Sequence, residues 1–338
     1  MAKTVKLADI AKRTGVSVVT VSKALSGQKG VSETMRRKIK KIASDLGYIS
    51  PSEERMMSER KSFNIGVLVS QRYFAQMQSF YWVMYQELVT RAVNFNCFTM
   101  LEVVSEEEEE NAISPKLLEG DKINGLVVIG LMKEKYLERV NEDSHVPIVF
   151  LDFYNKKFKC DAIITDNFYG MYQLTEYLCK LGHRKIAYVG TLLSTNSITD
   201  RYFGYCKALG EYGIPLREDY VINDRTEKNV KENFTYSLPE DMPTAFVCNC
   251  DLTAYEIIDL LKEKGYKVPE DISVVGFDDY SVPGDYDIKL TTYAVDVKGM
   301  VRRTIKILLN KMTGDFSKHG TAIVAGEMKI RESTKEIQ

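Results

Sequence analysis

The sequence predicts a small all-α head joined to a larger α/β body of two parallel-sheet subdomains, and three observations carry that prediction. Charge is divided unevenly: residues 1–61 hold 14 Lys or Arg against 6 Asp or Glu, net +8, while residues 62–338 hold 32 against 41, net −9. Apolar residues of the first 48 positions recur at helical spacing between glycine stops. Beyond residue 62, short apolar runs alternate with amphipathic helical stretches, the pattern of the β–α units that build parallel sheets. At 338 residues the chain is long enough to bury more than one core.

Taken in order, Leu7, Ile10 and Ala11 form one short apolar stripe that ends at Gly15. Ser17 is placed to cap a second helix with Val21, Ala24 and Leu25 facing inward and Gly27 as its stop. Ser32 is placed to cap a third, whose Met35, Ile39, Ile42 and Leu46 share a face before Gly47. Residues 50–62 turn polar except for two methionines and read as a linker able to form one or two helical turns. In the body, Ile65–Val69, Thr99–Val104, Gly125–Ile129, Ile148–Leu151, Ala162–Thr165, Lys185–Val189, Thr244–Cys248 and Ser273–Phe277 read as buried parallel strands. Helices are read through Tyr81, Tyr85, Leu88, Ala92 and Phe95, and through Tyr172, Leu174, Tyr177 and Leu178. The run Glu106–Glu110 is expected to be a solvated loop or helix start, because five adjacent carboxylates repel one another and resist burial.

Composition narrows the function. No apolar run of about 18 residues offers a membrane span. The first 30 residues carry five lysines and no signal-type apolar stretch, so a cytoplasmic protein is expected. Six scattered cysteines suit neither zinc spacing nor a disulfide framework and are read as reduced, mostly buried thiols. Three histidines without a partner at helical spacing, and no phosphate loop or nucleophile elbow, predict no enzyme, no metal and no cofactor; His183 reads as a structural turn residue. A dense basic head points to a polyanion, nucleic acid being the commonest.

The head's order of helix, Gly15-Val16-Ser17 turn and second helix is that of a helix-turn-helix, whose second helix enters the major groove. Val18 and Val19 are not demanded by the core stripe and can touch thymine methyls; Lys23, one turn further, can donate to guanine. Ligands of such a body are expected at the carboxyl ends of its strands.

Residues 7–27, from Leu7 to Gly27, with Val31-Ser32-Glu33-Thr34 and Leu46-Gly47-Tyr48, closely resemble the DNA-binding domain of the lactose-repressor (LacI/GalR) family of transcriptional regulators. The resemblance continues through Ile65–Val69, Asn124–Val127, Thr165-Asp166-Asn167 with Gly170, Leu181–Ile186, Arg201-Tyr202-Phe203-Gly204-Tyr205, Val268–Asp279, Leu290-Thr291-Thr292 and Arg331–Thr334, and so covers essentially the whole chain.

It implies a body of the periplasmic-binding-protein type I kind: a homodimer on a pseudo-palindromic double-stranded operator, with a small effector held between two subdomains. By resemblance, Val18, Val19 and Lys23 fall where the family reads bases, Ser17, Thr20 and Ser22 where it holds the backbone, and Met57 in the place of a leucine that wedges the minor groove. Asp152, Arg201, Asp251 and Asp278 occupy effector-cleft positions or their neighbours, and Phe80 and Tyr81 align with an aromatic pair; Phe168 follows another strand. Carboxylates and a guanidinium can each bridge vicinal hydroxyls, and aromatic rings pack on sugar C–H faces, so a sugar effector is expected.

The implied domains are a head at 1–48, a hinge at 49–61 and an effector and dimerisation domain at 62–338. Its N-subdomain is drawn at 62–161 plus 293–320 and its C-subdomain at 162–292 plus 321–338. The hinge departs from the family, reading Ile49-Ser50-Pro51-Ser52, and the loop after Val69 is about four residues longer than usual. A purine, a nucleoside or a phosphoprotein co-regulator is the alternative effector, and a sugar-binding protein without regulatory function is the alternative outside the class.

Overall fold

A computed structural model of the chain describes residues 5–26, 28–46, 48, 62–74, 79–226, 234–280, 286–314 and 318–337. Two compact units divide it, Met1–Phe63 with Arg91–Phe98, and Asn64–Thr90 with Thr99–Gln338.

The head is built from α1 (Leu7–Thr14), α2 (Val18–Leu25) and α3 (Glu33–Asp45). Gly15 closes α1 in the left-handed conformation, φ 73°, where a side chain would be strained. Ser17 caps α2 by accepting from the Thr20 amide at 3.1 Å, and Ser32 accepts from the Met35 amide at 3.3 Å at the start of α3. The three helices enclose Ile10, Ala11, Val21, Ala24, Ile39 and Ala43, so the stripes read from the sequence are the core. Arg36 of α3 ties α2 down, donating to the Lys23 and Ala24 carbonyls at 3.3 and 3.0 Å and to that of Gln28 at 2.6 Å. Gly27 and Gly47, expected as helix stops, lie outside the described residues, as does the whole hinge with Met57.

The body contains two six-stranded sheets. The first runs β11 (Thr321–Val324), β5 (Asp161–Thr165), β4 (Ile148–Leu151), β3 (Gly125–Ile129), β1 (Phe63–Ser70), β2 (Cys97–Val104). The second runs β12 (Glu327–Lys329), β10 (Thr291–Ala294), β9 (Ser273–Asp278), β8 (Ala245–Cys248), β6 (Ile186–Val189), β7 (Val221–Ile222). β12 pairs antiparallel with β10, whereas β1 with β3, β3 with β4, β4 with β5, and β6 with β8 are parallel. α4 (Phe80–Asn94), α5 (Glu106–Asn111), α6 (Glu134–Asp143), α7 (Asn167–Lys180), α8 (Asn196–Glu211), α9 (Asp251–Glu263) and α10 (Val297–Met312) connect the strands. Parallel order demands such crossovers, and it places the carboxyl ends of the strands together in each lobe.

Strand membership corrects the predicted crossings between subdomains. β5 and β11 lie in the first sheet and β10 in the second, so the chain changes sheets after Thr165, Ala294 and Val324, not at 161, 292 and 320. An apolar run announces a strand, not its sheet; β5 stays with β4 because that register buries all five of its residues.

The acidic run also needs correction. Ser105 and Glu108 cap α5 reciprocally, as a helix start should, but Glu109 is only 1% exposed. It accepts from the Lys133 amide at 3.0 Å and pairs with Arg72 at 3.6 Å, which compensates a burial that repulsion alone forbids. His183 is buried between Thr244 Oγ1 at 2.9 Å and the Lys335 carbonyl at 3.0 Å, joining the C-terminal segment to the second lobe. The six cysteines are free thiols, three of them buried.

Candidate functional site

In the head, one face of α2 is core and the other is open. Val21 and Ala24 are fully buried, while Val18 and Val19 are 44% and 64% exposed and Ser17, Ser22 and Lys23 stand in solvent. Apolar side chains at the amino-terminal turn of this capped helix add nothing to the head's core and are free to meet a partner. Thr20 is half-buried, its hydroxyl 2.9 Å from that of Ser17.

In the body, the carboxyl ends of strands from both sheets meet. Asp152 follows β4 at φ 69° and Asp278 ends β9 at φ 112°, so two of the expected residues sit in the left-handed region that side chains rarely adopt. Asp152 is buried; its Oδ2 accepts from the Tyr81 hydroxyl at 3.1 Å, and its Oδ1 has no hydrogen-bond partner. Burial raises the Asp152 carboxyl to about 6, against the opposing pull of the Arg201 charge and the Tyr81 hydroxyl.

Arg201, on α8, comes from the other lobe and is 5% exposed. Its Nε donates to Asn167 Oδ1 at 2.8 Å, one Nη to the Asn249 carbonyl, and the other to Asp278 Oδ1 at 3.3 Å, with the guanidinium 3.8 Å from the Phe277 ring centre. The lobes also touch where the Tyr154 hydroxyl donates to Asp200 at 3.4 Å.

Asp251 is placed differently. It opens α9 behind β9, accepting from Thr292 Oγ1 at 2.6 Å and from the Tyr280 amide at 3.0 Å. Burial first, and then the Asp278 charge, push its carboxyl well above the usual range. A Cβ on Gly276 would lie 2.2 Å from Asp251 Oδ1, so this glycine is what lets the carboxylate tuck beneath the strand. Both oxygens being engaged, Asp251 holds the turn after Asp278. Phe80 lies beside Tyr81 with ring centres 5.6 Å apart, and Phe168 is 40% exposed on the first turn of α7.

The sequence reading did not single out Asn167, Asp200, Asp224 and Asn249. Tyr73 packs 4.4 Å from Tyr81, and both fit because Gly130, φ 74°, has no side chain: a Cβ there would meet Tyr73 at 2.7 Å. Asp224 is fully buried, receiving the Thr191 amide at 2.9 Å and the Asn249 side chain at 2.8 Å and pairing with Arg225 at 2.7 Å. The available signal was positional: Asn249 directly follows a strand end. Among the described residues no group of His, Cys, Asp and Glu is arranged to hold a metal, and no helix is long and apolar enough to cross a membrane.

Residues 6–51 match the profile of bacterial regulatory proteins, lacI family, and residues 175–334 that of the periplasmic binding protein-like domain. The HTH-type transcriptional repressor PurR of Mannheimia succiniciproducens is 26% identical over 340 residues, covering 97% of this chain and 98% of its own. The HTH-type transcriptional regulator RegA of Clostridium saccharobutylicum is 28% identical over 346 residues, covering 99% and 100%. Among solved structures, the transcriptional regulator CelR in complex with cellobiose shares the fold with a TM-score of 0.68 at 22% identity over 97% of this chain and 99% of its own. An open-faced second helix on a basic head and a two-sheet body agree with these findings: residues 6–51 form a head of the lacI family of bacterial regulatory proteins, and the chain is similar along nearly its whole length to transcriptional regulators.

Proposed function

We propose that this regulator is a cytoplasmic repressor that binds a pseudo-palindromic operator as a homodimer and lets go when a small sugar occupies the cleft of its body. In the head, Val18, Val19 and Lys23 read base edges, while Ser17, Thr20 and Ser22 hold phosphates. Met57 supplies the minor-groove wedge from outside the described residues. The solvent-facing side of α2 and the net charge of +8 over residues 1–61 support this. Dimerisation is supported by edge strand β2, which exposes Phe98 and Met100 on one face, apolar side chains costly to leave in water.

The observation that carries the effector half is Asp152 Oδ1, a buried acceptor with no donor, within reach of the Arg201 charge from the opposite lobe. A polyol held by these groups bridges the lobes and favours one closure state, and only that difference in affinity can change operator binding. Phe80, Tyr81 and Phe168 offer rings to the sugar face, and Asp251 acts by holding the Asp278 turn. No catalytic step and no cofactor are part of this reading.

Titrating labelled operator with full-length protein, with and without candidate sugars, tests it. Release by a sugar, lost in Asp278→Ala while the free protein keeps its operator affinity within a few fold, is the expected result. A wild-type dose response in that variant removes Asp278 from the site. A purine or nucleoside effector is the second reading, favoured by the name PurR of a relative matched along 97% of the chain. Release or tightening by hypoxanthine or guanine, with no response to sugars, would replace the first.

A further inference from the structure

We propose that the cleft selects its ligand by charge: it takes a molecule that brings hydrogen-bond donors and no negative charge, a free sugar or an amino sugar, and rejects phosphorylated and carboxylated forms of the same scaffold. The proposal rests on the reading of this cleft as the effector site. Its basis is the pairing of the charged groups already there. Arg201 is matched by Asp278 at 3.3 Å, Arg225 by Asp224 at 2.7 Å, and Arg72, behind Tyr73, by Glu109 at 3.6 Å. The matching carboxylates are themselves buried, Asp224 and Asp278 to nine-tenths or more of their side chains and Glu109 to 1% exposure. Arg201 also spends donors on Asn167 and the Asn249 carbonyl, which leaves little of its fork for an incoming anion.

Two carboxylates remain on the other side of the ledger. Asp152, 6% exposed, has the orphan Oδ1 and receives only the Tyr81 hydroxyl at 3.1 Å on its other oxygen. Asp200 receives only the Tyr154 hydroxyl, at 3.4 Å to each oxygen. A phenol is weak compensation for the buried Asp152 or the half-buried Asp200, and burial raises both carboxyls, that of Asp152 to about 6, despite the Arg201 charge that acts on each. Such a site gains when hydroxyl or ammonium donors arrive and loses when a further negative charge does. A phosphate or carboxylate would have to break one of three arginine–carboxylate pairs and would sit beside Asp152 as it did so.

Thermal shift and calorimetric titration of the full-length protein at neutral pH test this with matched probes: glucose, galactose, ribose and cellobiose; glucosamine; glucose 6-phosphate, ribose 5-phosphate and glucuronate; hypoxanthine with inosine monophosphate. Whichever scaffold binds, its neutral or amino form should bind roughly a hundredfold or more tighter than its phosphate or carboxylate, the discrimination that like-charge contacts produce. Asp152→Asn, similar in shape and without the charge, should narrow that gap at least tenfold, with its own melting curve showing that it folds. An anionic probe that binds as tightly as its neutral parent overturns the proposal, and so does an undiminished gap in Asp152→Asn. Binding of hypoxanthine without any sugar sinks the sugar reading alone, because the nucleotide partner still tests the charge rule. Silence from every probe overturns the effector reading and the proposal with it.

Discussion

The head and the cleft present the side chains proposed to act in them in opposite ways. On α2, Val18, Val19 and Lys23 stand in solvent on a helix whose core face is complete without them, whereas Asp152 and Arg201 are buried, Arg201 tied to Asp278 in its own lobe and Asp152 to Tyr81 in the other. A long, charged macromolecular partner can be met by side chains that wait in water, since its own surface supplies the burial. A small ligand must be enclosed, so the groups that recognise it are desolvated beforehand and their charges balanced within the fold. Substitution should therefore separate stability from function in the head and entangle them in the cleft.

The sharpest break of that contrast is Arg201→Ala. Losing a buried ion pair, two further hydrogen bonds and the contact with Phe277 should cost about 3–5 kcal/mol of stability, because one partner of a buried pair is removed. Urea denaturation measures it; a loss below about 1 kcal/mol would class the pair with surface salt bridges.

Asp152 gives the next largest effect, and its sign runs the other way. Its folded-state value, about 6, lies above that of an unfolded carboxylate, so its contribution is fully present below the ordinary carboxylate range and is lost as pH rises through about 6. Ionising it costs on the order of 3 kcal/mol. The free wild-type protein should lose stability across that window, and Asp152→Asn should lose less; identical pH profiles in the two would contradict the assignment.

In the head, Lys23→Ala should leave stability unchanged and weaken preference at one base pair per half-site by about 1–3 kcal/mol. An equal loss on all sequences would turn Lys23 into a phosphate contact. The smallest effect is expected at Ser17→Ala, which removes the cap of α2 and costs about 1 kcal/mol of stability. Thermal melts of the two head variants, read side by side, test whether only the cap residue mixes the two roles.

How far the sequence reached depended on the range of the interactions involved. The head was legible almost residue by residue, because caps, left-handed stops and apolar positions three and four apart act within a turn or two of helix, and α1 to α3 follow them. Thr99–Val104, expected to be buried, is instead the half-exposed edge strand β2, but the other seven strands read in the body were legible for a related reason: a short apolar run is driven into the core. β7, β10, β11 and β12 were not, being two to four residues long and partly polar; Thr291 and Thr292 are fully buried only because β9, β12 and the C-terminal segment surround them.

By itself, then, the sequence determined the helical head and the β–α alternation. Tertiary structure alone decided which sheet each strand joined, that Glu109 would be buried against Arg72, and that Asp251 would turn behind β9. It also decided that every cleft arginine would meet a carboxylate while Asp152 kept an oxygen unmatched. Those outcomes join residues tens to more than a hundred positions apart. Local pattern fixes which face of a segment is apolar, while the partner across a lobe is chosen by packing and by the need to satisfy buried charge.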